Sequence, residues 1–325
     1  MRIAEKAPTK VILCGEHFVV YGAPAIAFPT SVPNEVVLRE RKGEGFEIES
    51  AGKSATAFPD GKAEGDPMLC NFLQLYWTLV EGARRKPGMR LCAKFVSHGA
   101  FKGMGNSASL ATALARCLLR YSRRKMKQDE IFSLVQENEM RMHGGRASGI
   151  DARTVIAGKP QVFMKRFTPV RFNFNDAELC LPKGTVLMAV DTYAGNREST
   201  SSMTAKFAKA HGINSRPDDV GEAERKKLAQ EYGGIFNGIL HELHAEGDAR
   251  KLGRLMDGNE KLLRSVESTG IKAAISAARK AGALGAKLTG AGGEGGAVIA
   301  LVQKKDARKL IAAEKKAGFR AFVVI

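Results

Sequence analysis

The chain has 325 residues, 44% of them hydrophobic, which is enough for two domains with ordinary cores. No stretch approaches the roughly 20 apolar residues that span a bilayer, and Met1–Lys6 lacks the apolar h-region of a secretory signal; no membrane association and a cytoplasmic location are expected. The net charge of +17 attracts anions in general, but aromatics are only 7% and the basic residues fall in short clusters (39–42, 84–86, 120–127, 226–227, 304–309), so a dedicated nucleic-acid groove is not expected.

In chain order, the apolar runs Lys10–Leu13 and Ala25–Phe28 predict strands, and Glu35–Arg39 and Phe46–Ser50 continue an antiparallel pattern. Gly61–Asp66 reads as a polar loop. Helical periodicity over 68–81 places Leu69, Phe72, Leu73, Tyr76 and Leu79 on one side. The alternating strand Arg90–Ser97 leads into Gly103-Met-Gly-Asn-Ser-Ala-Ser109, and from Ser107 an almost wholly apolar helix runs to the basic 120–127 turn. A second helix, Asp129–Met142, opens with acidic residues that suit the positive end of its dipole. It ends at His143-Gly-Gly145. Val162–Met164 and Val170–Phe174 read as the closing strands of this half.

Pro182-Lys-Gly184 marks the expected boundary between domains 1–182 and 183–325. Beyond it the sequence predicts strand Thr185–Val190 and helices over 199–211, 221–247, 248–266 and 271–282. Then come a strand–glycine loop–strand over 285–302, a helix over 305–316 and a final strand over 319–325. The expected class is α+β in two halves, with the second and third glycine segments able to face one cleft.

The five cysteines (Cys14, Cys70, Cys92, Cys117, Cys180) are odd in number and contain no Cys-x-x-Cys pair, so they read as reduced, small core residues. His241 and His244 are three apart rather than the four of a zinc-protease helix and read as a solvated helix face.

Three segments have the composition of a phosphate or substrate cradle: Lys10–His17, Gly103–Ser109 and Lys287–Gly296. A strand, a Gly-x-Gly turn and a helix N-terminus leave backbone N–H groups pointing at one spot, where the helix dipole favours phosphate. Ser107 can cap that helix or present its hydroxyl to a phosphate-bound Mg²⁺. Asp151, ending the turn His143-Gly-Gly-Arg-Ala-Ser-Gly-Ile-Asp151, can be an N-cap or accept a proton from an attacking hydroxyl. Glu139 suits a magnesium carboxylate or an exposed charged position. Lys10 can favour an alkoxide and neutralise a transferring phosphoryl group, or simply be solvated.

Taken together, the segments carry a resemblance. Ala7-Pro-Thr-Lys-Val-Ile-Leu-Cys-Gly-Glu-His-Phe-Val-Val-Tyr-Gly-Ala-Pro-Ala-Ile-Ala27 resembles the first motif of mevalonate kinases, within the galactokinase–homoserine kinase–mevalonate kinase–phosphomevalonate kinase (GHMP) superfamily. Gly103–Ser109 resembles the superfamily's ATP loop, His143–Asp151 its His-Gly-x-x-Ser-Gly-x-Asp segment, and Lys287–Leu301 its third motif. The segments 190–200 and 252–263 match as well, so the likeness covers almost the whole chain in order.

The resemblance implies a two-domain GHMP kinase fold: an N-terminal ribosomal-protein-like βαβ domain, a C-terminal ferredoxin-like α/β sandwich, and an active site in the cleft between them. It implies Lys10 and Asp151 as the catalytic pair and Glu16, His17 and Thr200 at the mevalonate site. Phe101, Lys102, Gly103, Met104, Gly105, Asn106 and Ser107 would wrap the ATP phosphates. Ser107 and Glu139 would hold Mg²⁺, the implied cofactor, and Thr289, Gly290, Gly292 and Gly293 would close the cleft. The implied reaction moves the γ-phosphoryl group of ATP to the C5 hydroxyl of mevalonate. Lys10, Ser107, Glu139 and Asp151 should then converge around one triphosphate tail.

The sequence departs from the family pattern at Thr9, Ala100, Phe101, Asn106, Arg146, Ala147, Glu294 and Ser201. Phe101 and Arg146 would alter size and charge near the site, which keeps open a sister kinase for a phosphorylated mevalonate or another hydroxy acid. The basic balance keeps open an RNA-binding protein on the same fold. The sequence is compatible with a homodimer and does not require one.

Overall fold

The computed structural model describes residues 1–80, 89–145, 147–167, 170–176, 178–193, 195, 198–213 and 220–325. The expected helix end at Glu81, the basic cluster at 84–86, Arg146, and Ala194, Asn196 and Arg197 of the 190–200 segment lie outside these residues.

The first sheet is built on two long strands, β1 (Arg2–Cys14) and β2 (Ala25–Lys42), paired antiparallel from Arg2↔Arg39 to Cys14↔Ile26. The sequence reading broke β2 in two, and its prolines explain why. Proline has no N–H to give a ladder. Across its other edge β2 pairs with β7 (Gln161–Phe167) only over Ala25–Ala27 and with β6 (Met89–Ser97) only from Asn34 onward. Pro29 and Pro33 fall in the gap between these ladders, where Ser31 N–H instead donates to the Val324 carbonyl at 2.9 Å. The sheet is completed by β3 (Phe46–Ser50), β4 (Lys53–Ala57), β5 (Ala63–Gly65) and β8 (Val170–Asp176). β5 corrects the expected 61–66 loop: its three exposed residues pair at the sheet edge, with no apolar alternation to announce them.

Against this sheet pack α1 (Pro67–Val80), α2 (Asn106–Ser122), α3 (Gln128–Met142) and α4 (Ile150–Ala157). The apolar stripe Leu69, Phe72, Leu73, Tyr76 and Leu79 of α1 is buried as its spacing demands, with Tyr76 stacked on Phe46 at 4.6 Å.

The second sheet has the order β10–β11–β9–β12: β10 (Gly285–Thr289), β11 (Ala297–Gln303), β9 (Thr185–Asp191) and β12 (Arg320–Val323), every pair antiparallel. That is the ferredoxin-like order, with the third strand inserted between the first two. Around it lie α5 (Thr200–Ala210), α6 (Glu222–Glu242), α7 (Ala249–Leu262), α8 (Thr269–Lys280) and α9 (Ala307–Lys316). A single apolar cluster joins the halves: Val11, Leu13 and Phe18 of the first touch the same core as Leu288 and Ile299 of the second. Burial of this kind of surface, at roughly 25 cal/mol per Å², fixes the cleft that opens at its edge.

The cysteines are free; Cys14, Cys92 and Cys117 are buried, but Cys180 is exposed, correcting its expected core position. His241 and His244 are exposed, with Glu242 buried beside them and bonded to Lys251 and the Asp248 N–H. Among the described residues no helix is long and apolar enough to cross a membrane.

Candidate functional site

Between the sheets lies a cavity of about 410 Å³ whose lining includes Lys10, Ser107, Glu139 and Asp151. The four side chains, remote in sequence, share one chamber. Lys10 is placed by β1. Its backbone N–H donates to the Met104 carbonyl at 2.9 Å, and its Nζ forms an ion pair with Asp151 Oδ1 at 3.0 Å. The Lys10 side chain is buried, whereas that of Asp151 is 30% exposed towards the cavity. Asp151 stands in the first turn of α4, whose N-cap is Gly149, so the capping role left open by the sequence is not the one it fills.

The Gly103–Ser107 turn forms the floor. α2 begins one residue earlier than expected, at Asn106, and its N-cap is Gly105 in the left-handed region at φ 65. Ser107 is therefore inside the first turn rather than a cap, and its hydroxyl is free to face the cavity it lines. Gly105 is needed for contact as well as for φ. A Cβ there would lie 2.9 Å from Lys10 Cε and 3.4 Å from Asp151 Oδ2.

Two expected ATP-loop residues turn away. Phe101 and Met104 are buried in the core, Phe101 edge-on to Phe322 at 5.5 Å, so only their backbone belongs to the loop. Phe101 therefore does not enlarge the site. Asn106 fixes the turn instead: its Nδ2 donates to the Phe101 carbonyl at 2.9 Å, and its Oδ1 accepts from Asn34 on β2 at 3.2 Å. Lys102 Nζ reaches the carbonyl of Glu198, beside α5.

The third glycine segment is bound to β1 by Thr289. Its Oγ1 accepts from Ile12 N–H at 2.9 Å and its hydroxyl donates to Ile12 O at 3.0 Å. Gly290 then passes Gly103 so closely that a Cβ would lie 3.0 Å from the Gly103 Cα. Gly292 and Gly293 follow, and Gly293 N–H donates to the Val266 carbonyl at 2.8 Å. Glu294, the odd residue of the segment, is exposed, and its backbone N–H is taken by Glu198 Oε2 at 2.9 Å. Thr9, another departure, is buried with its hydroxyl donating to Val32 O at 2.7 Å, filling the space that a glycine leaves.

Glu16 and His17 follow β1 on a tight turn. His17 adopts φ 61, a strained conformation costing on the order of 1–3 kcal/mol, held by a 3.0 Å bond from Nε2 to the Ala291 carbonyl and by stacking on Phe207 at 5.0 Å. Burial lowers its pKa to about 4, so the ring is neutral at pH 7. Glu16 is buried and ion-paired with Lys287, and burial raises its pKa. Thr200 opens α5 on the facing wall, where Ser199 caps the helix by accepting Ser202 N–H at 3.1 Å.

On α3, Glu139 is buried with Oε1 meeting no hydrogen-bond donor among the described residues, while Oε2 lies 3.5 Å from His143 Nε2. The Glu139 contact raises the His143 pKa. Among the described residues no three His, Cys, Asp or Glu side chains form a metal site on their own. Sequence reasoning gave no individual role to Lys287, His143 or the Lys102–Glu198 contact. The signal for Lys287 was a lysine inside the apolar strand Gly285–Thr289.

Comparison with known proteins is consistent along the chain. Two family models match: "GHMP kinases N terminal domain" over residues 93–159 and "GHMP kinases C terminal" over 239–320. A mevalonate kinase of Thermococcus gammatolerans is 30% identical over 94% of this chain and 91% of its own. One from Aeropyrum pernix is 29% identical over 97% of this chain and 93% of its own. The crystal structure of the Methanococcus jannaschii mevalonate kinase superposes with a TM-score of 0.75 at 20% identity, covering 100% of this chain and 98% of that one.

Proposed function

The chain belongs to the mevalonate kinase family of GHMP kinases, and we propose that it transfers the γ-phosphoryl group of ATP to the C5 hydroxyl of mevalonate. The observation that carries the proposal is the Lys10–Asp151 pair, 3.0 Å apart and open to a cleft floored by a helix N-terminus. Residues 1–182 supply that pair and the phosphate turn, and residues 183–325 supply the third glycine segment and the wall carrying Thr200.

Asp151 accepts the proton of the C5 hydroxyl as its oxygen attacks the γ-phosphorus and the bond to the ADP oxygen breaks. The Lys10 ammonium stands beside the oxyanion and the transferring group, and needs no reorganisation at the moment of reaction because β1 and the Met104 carbonyl fix it. Backbone N–H groups at the start of α2 hold phosphate oxygens. The neutral His17 ring and Thr200 orient the acceptor without adding charge beside its carboxylate.

Mg²⁺ fits this chamber. Glu139 Oε1 is a buried oxygen with no donor among the described residues, and Ser107 adds a hydroxyl, a hard-oxygen set that substrate phosphates and water complete. When bound there, the ion neutralises charge on the phosphate oxygens.

A panel of acceptors tests the proposal. ATP consumption with mevalonate, and none with homoserine or 5-phosphomevalonate, is expected. Turnover of 5-phosphomevalonate alone would identify the sister kinase. Steeply salt-dependent RNA binding without kinase activity would replace the proposal altogether.

A further inference from the structure

Beside the acceptor site lies a second lysine–carboxylate pair: Glu16 is among the residues that line the cavity, but its side chain is sealed against Lys287. Lys287 on β10 and Glu16 after β1 are ion-paired across 271 positions of sequence, and both side chains are 0% exposed. Glu16 Oε2 meets no hydrogen-bond donor among the described residues, so Lys287 is the side chain that anchors this carboxylate. β10 is itself braced: Glu260 on α7 accepts Leu288 N–H at 2.6 Å, and Thr289 is tied to Ile12. Burying two charges costs several kcal/mol per ion before their attraction repays it, so such a pair is weak evidence for stability alone. What it holds here is specific. Glu16 precedes His17, whose positive φ persists only if the surroundings over-determine it.

We propose that Lys287 is a positioning residue for the acceptor: by pinning Glu16 it holds the strained turn that sets the His17 ring in the cleft. It carries that constraint from the second sheet, through β10, to the turn that follows β1. The inference rests on the mevalonate kinase reading above.

Lys287→Met is compared with wild type for both substrates. The KM for mevalonate is expected to rise about 100-fold, the cost of a small misplacement at a reacting group. The KM for ATP should stay within about twofold, because the Lys287 ammonium bonds to Glu16 and the Leu288 carbonyl rather than to the Gly103–Ser107 turn. Lys287→Arg, which keeps the cation, should fall between the two. Should the single variant not fold, Glu16→Gln/Lys287→Met removes both charges together and is the tolerated form of the same test. It too should retain the ATP KM and lose mevalonate affinity. A double variant with wild-type KM for mevalonate, or a single variant whose two KM values rise equally, overturns the inference. If wild type itself does not turn over mevalonate, it is the functional reading that fails.

Discussion

Lys10–Asp151 and Lys287–Glu16 are built from the same two kinds of side chain, and both join segments far apart in the sequence. They differ in what surrounds the carboxylate. Asp151 is 30% exposed and faces the cavity, so its oxygens can exchange lysine for substrate. Glu16 is sealed, and burial is the largest influence on its pKa, with Lys287 pulling the other way. In the reaction proposed above, the first pair loses and regains partners during turnover. The second can only hold. On the proposed assignment, exposure of the acid, more than the identity of the pair, is what separates the two roles.

If that division is right, the open pair should govern turnover and leave nucleotide binding alone. Asp151→Asn is expected to lower kcat by about 1,000-fold, with ATP affinity unchanged in a direct binding measurement. Lys10→Met should reduce the phosphoryl-transfer step by about 100-fold in single-turnover kinetics. Near-normal turnover of the asparagine variant would remove Asp151 from the base role. A pure ATP-affinity defect in the methionine variant would mean that Lys10 serves the nucleotide instead of the reacting oxygen.

A milder disturbance sharpens the same point. Gly105 packs directly on the open pair, and Gly105→Ala sets a methyl 2.9 Å from Lys10 Cε and 3.0 Å from its Cγ at a backbone φ of 65. The flexible lysine end has to give, so kcat should drop about tenfold while stability falls by roughly 1 kcal/mol, read from kinetics and from a denaturant midpoint. Unchanged kcat would show that the pair tolerates displacement and that its spacing is not what matters.

How far the sequence could be read follows from where each property is stored. The glycine turns and the α1 stripe are local, and their composition announces them. The outward course of β2 past Pro29 and Pro33 is not local, because a proline is tolerated only where the neighbouring edge has no ladder, and that depends on where β6 and β7 begin. Phe101 and Met104 looked like loop residues because they sit between loop residues; their side chains answer to Phe322 and the core instead. Lys287 was the hardest. A lysine in a strand reads the same whether it is solvated or sealed, and its partner lies 271 residues away.

Glu314 on α9 extends the comparison to a buried acid without a lysine. It is fully buried, and both oxygens lack hydrogen-bond partners among the described residues. Burial raises its pKa from 4.5 to about 7. The folded chain therefore keeps a proton that the unfolded chain sheds near pH 4.5, so this group's contribution to stability is complete below that point and is lost as pH rises to about 7. Glu314→Leu removes a carboxyl whose oxygens meet no hydrogen-bond partner among the described residues and should stabilise the protein above pH 7 by up to ~3 kcal/mol. Melting curves at pH 8 and pH 5 check it: the advantage of leucine should be large at the first and shrink at the second. Because Glu314 does not line the cleft, kcat and both KM values should be unchanged. An advantage of equal size at both pH values would mean that the acid is never forced to hold its proton, and that desolvation is not what distinguishes sealed carboxylates from open ones here.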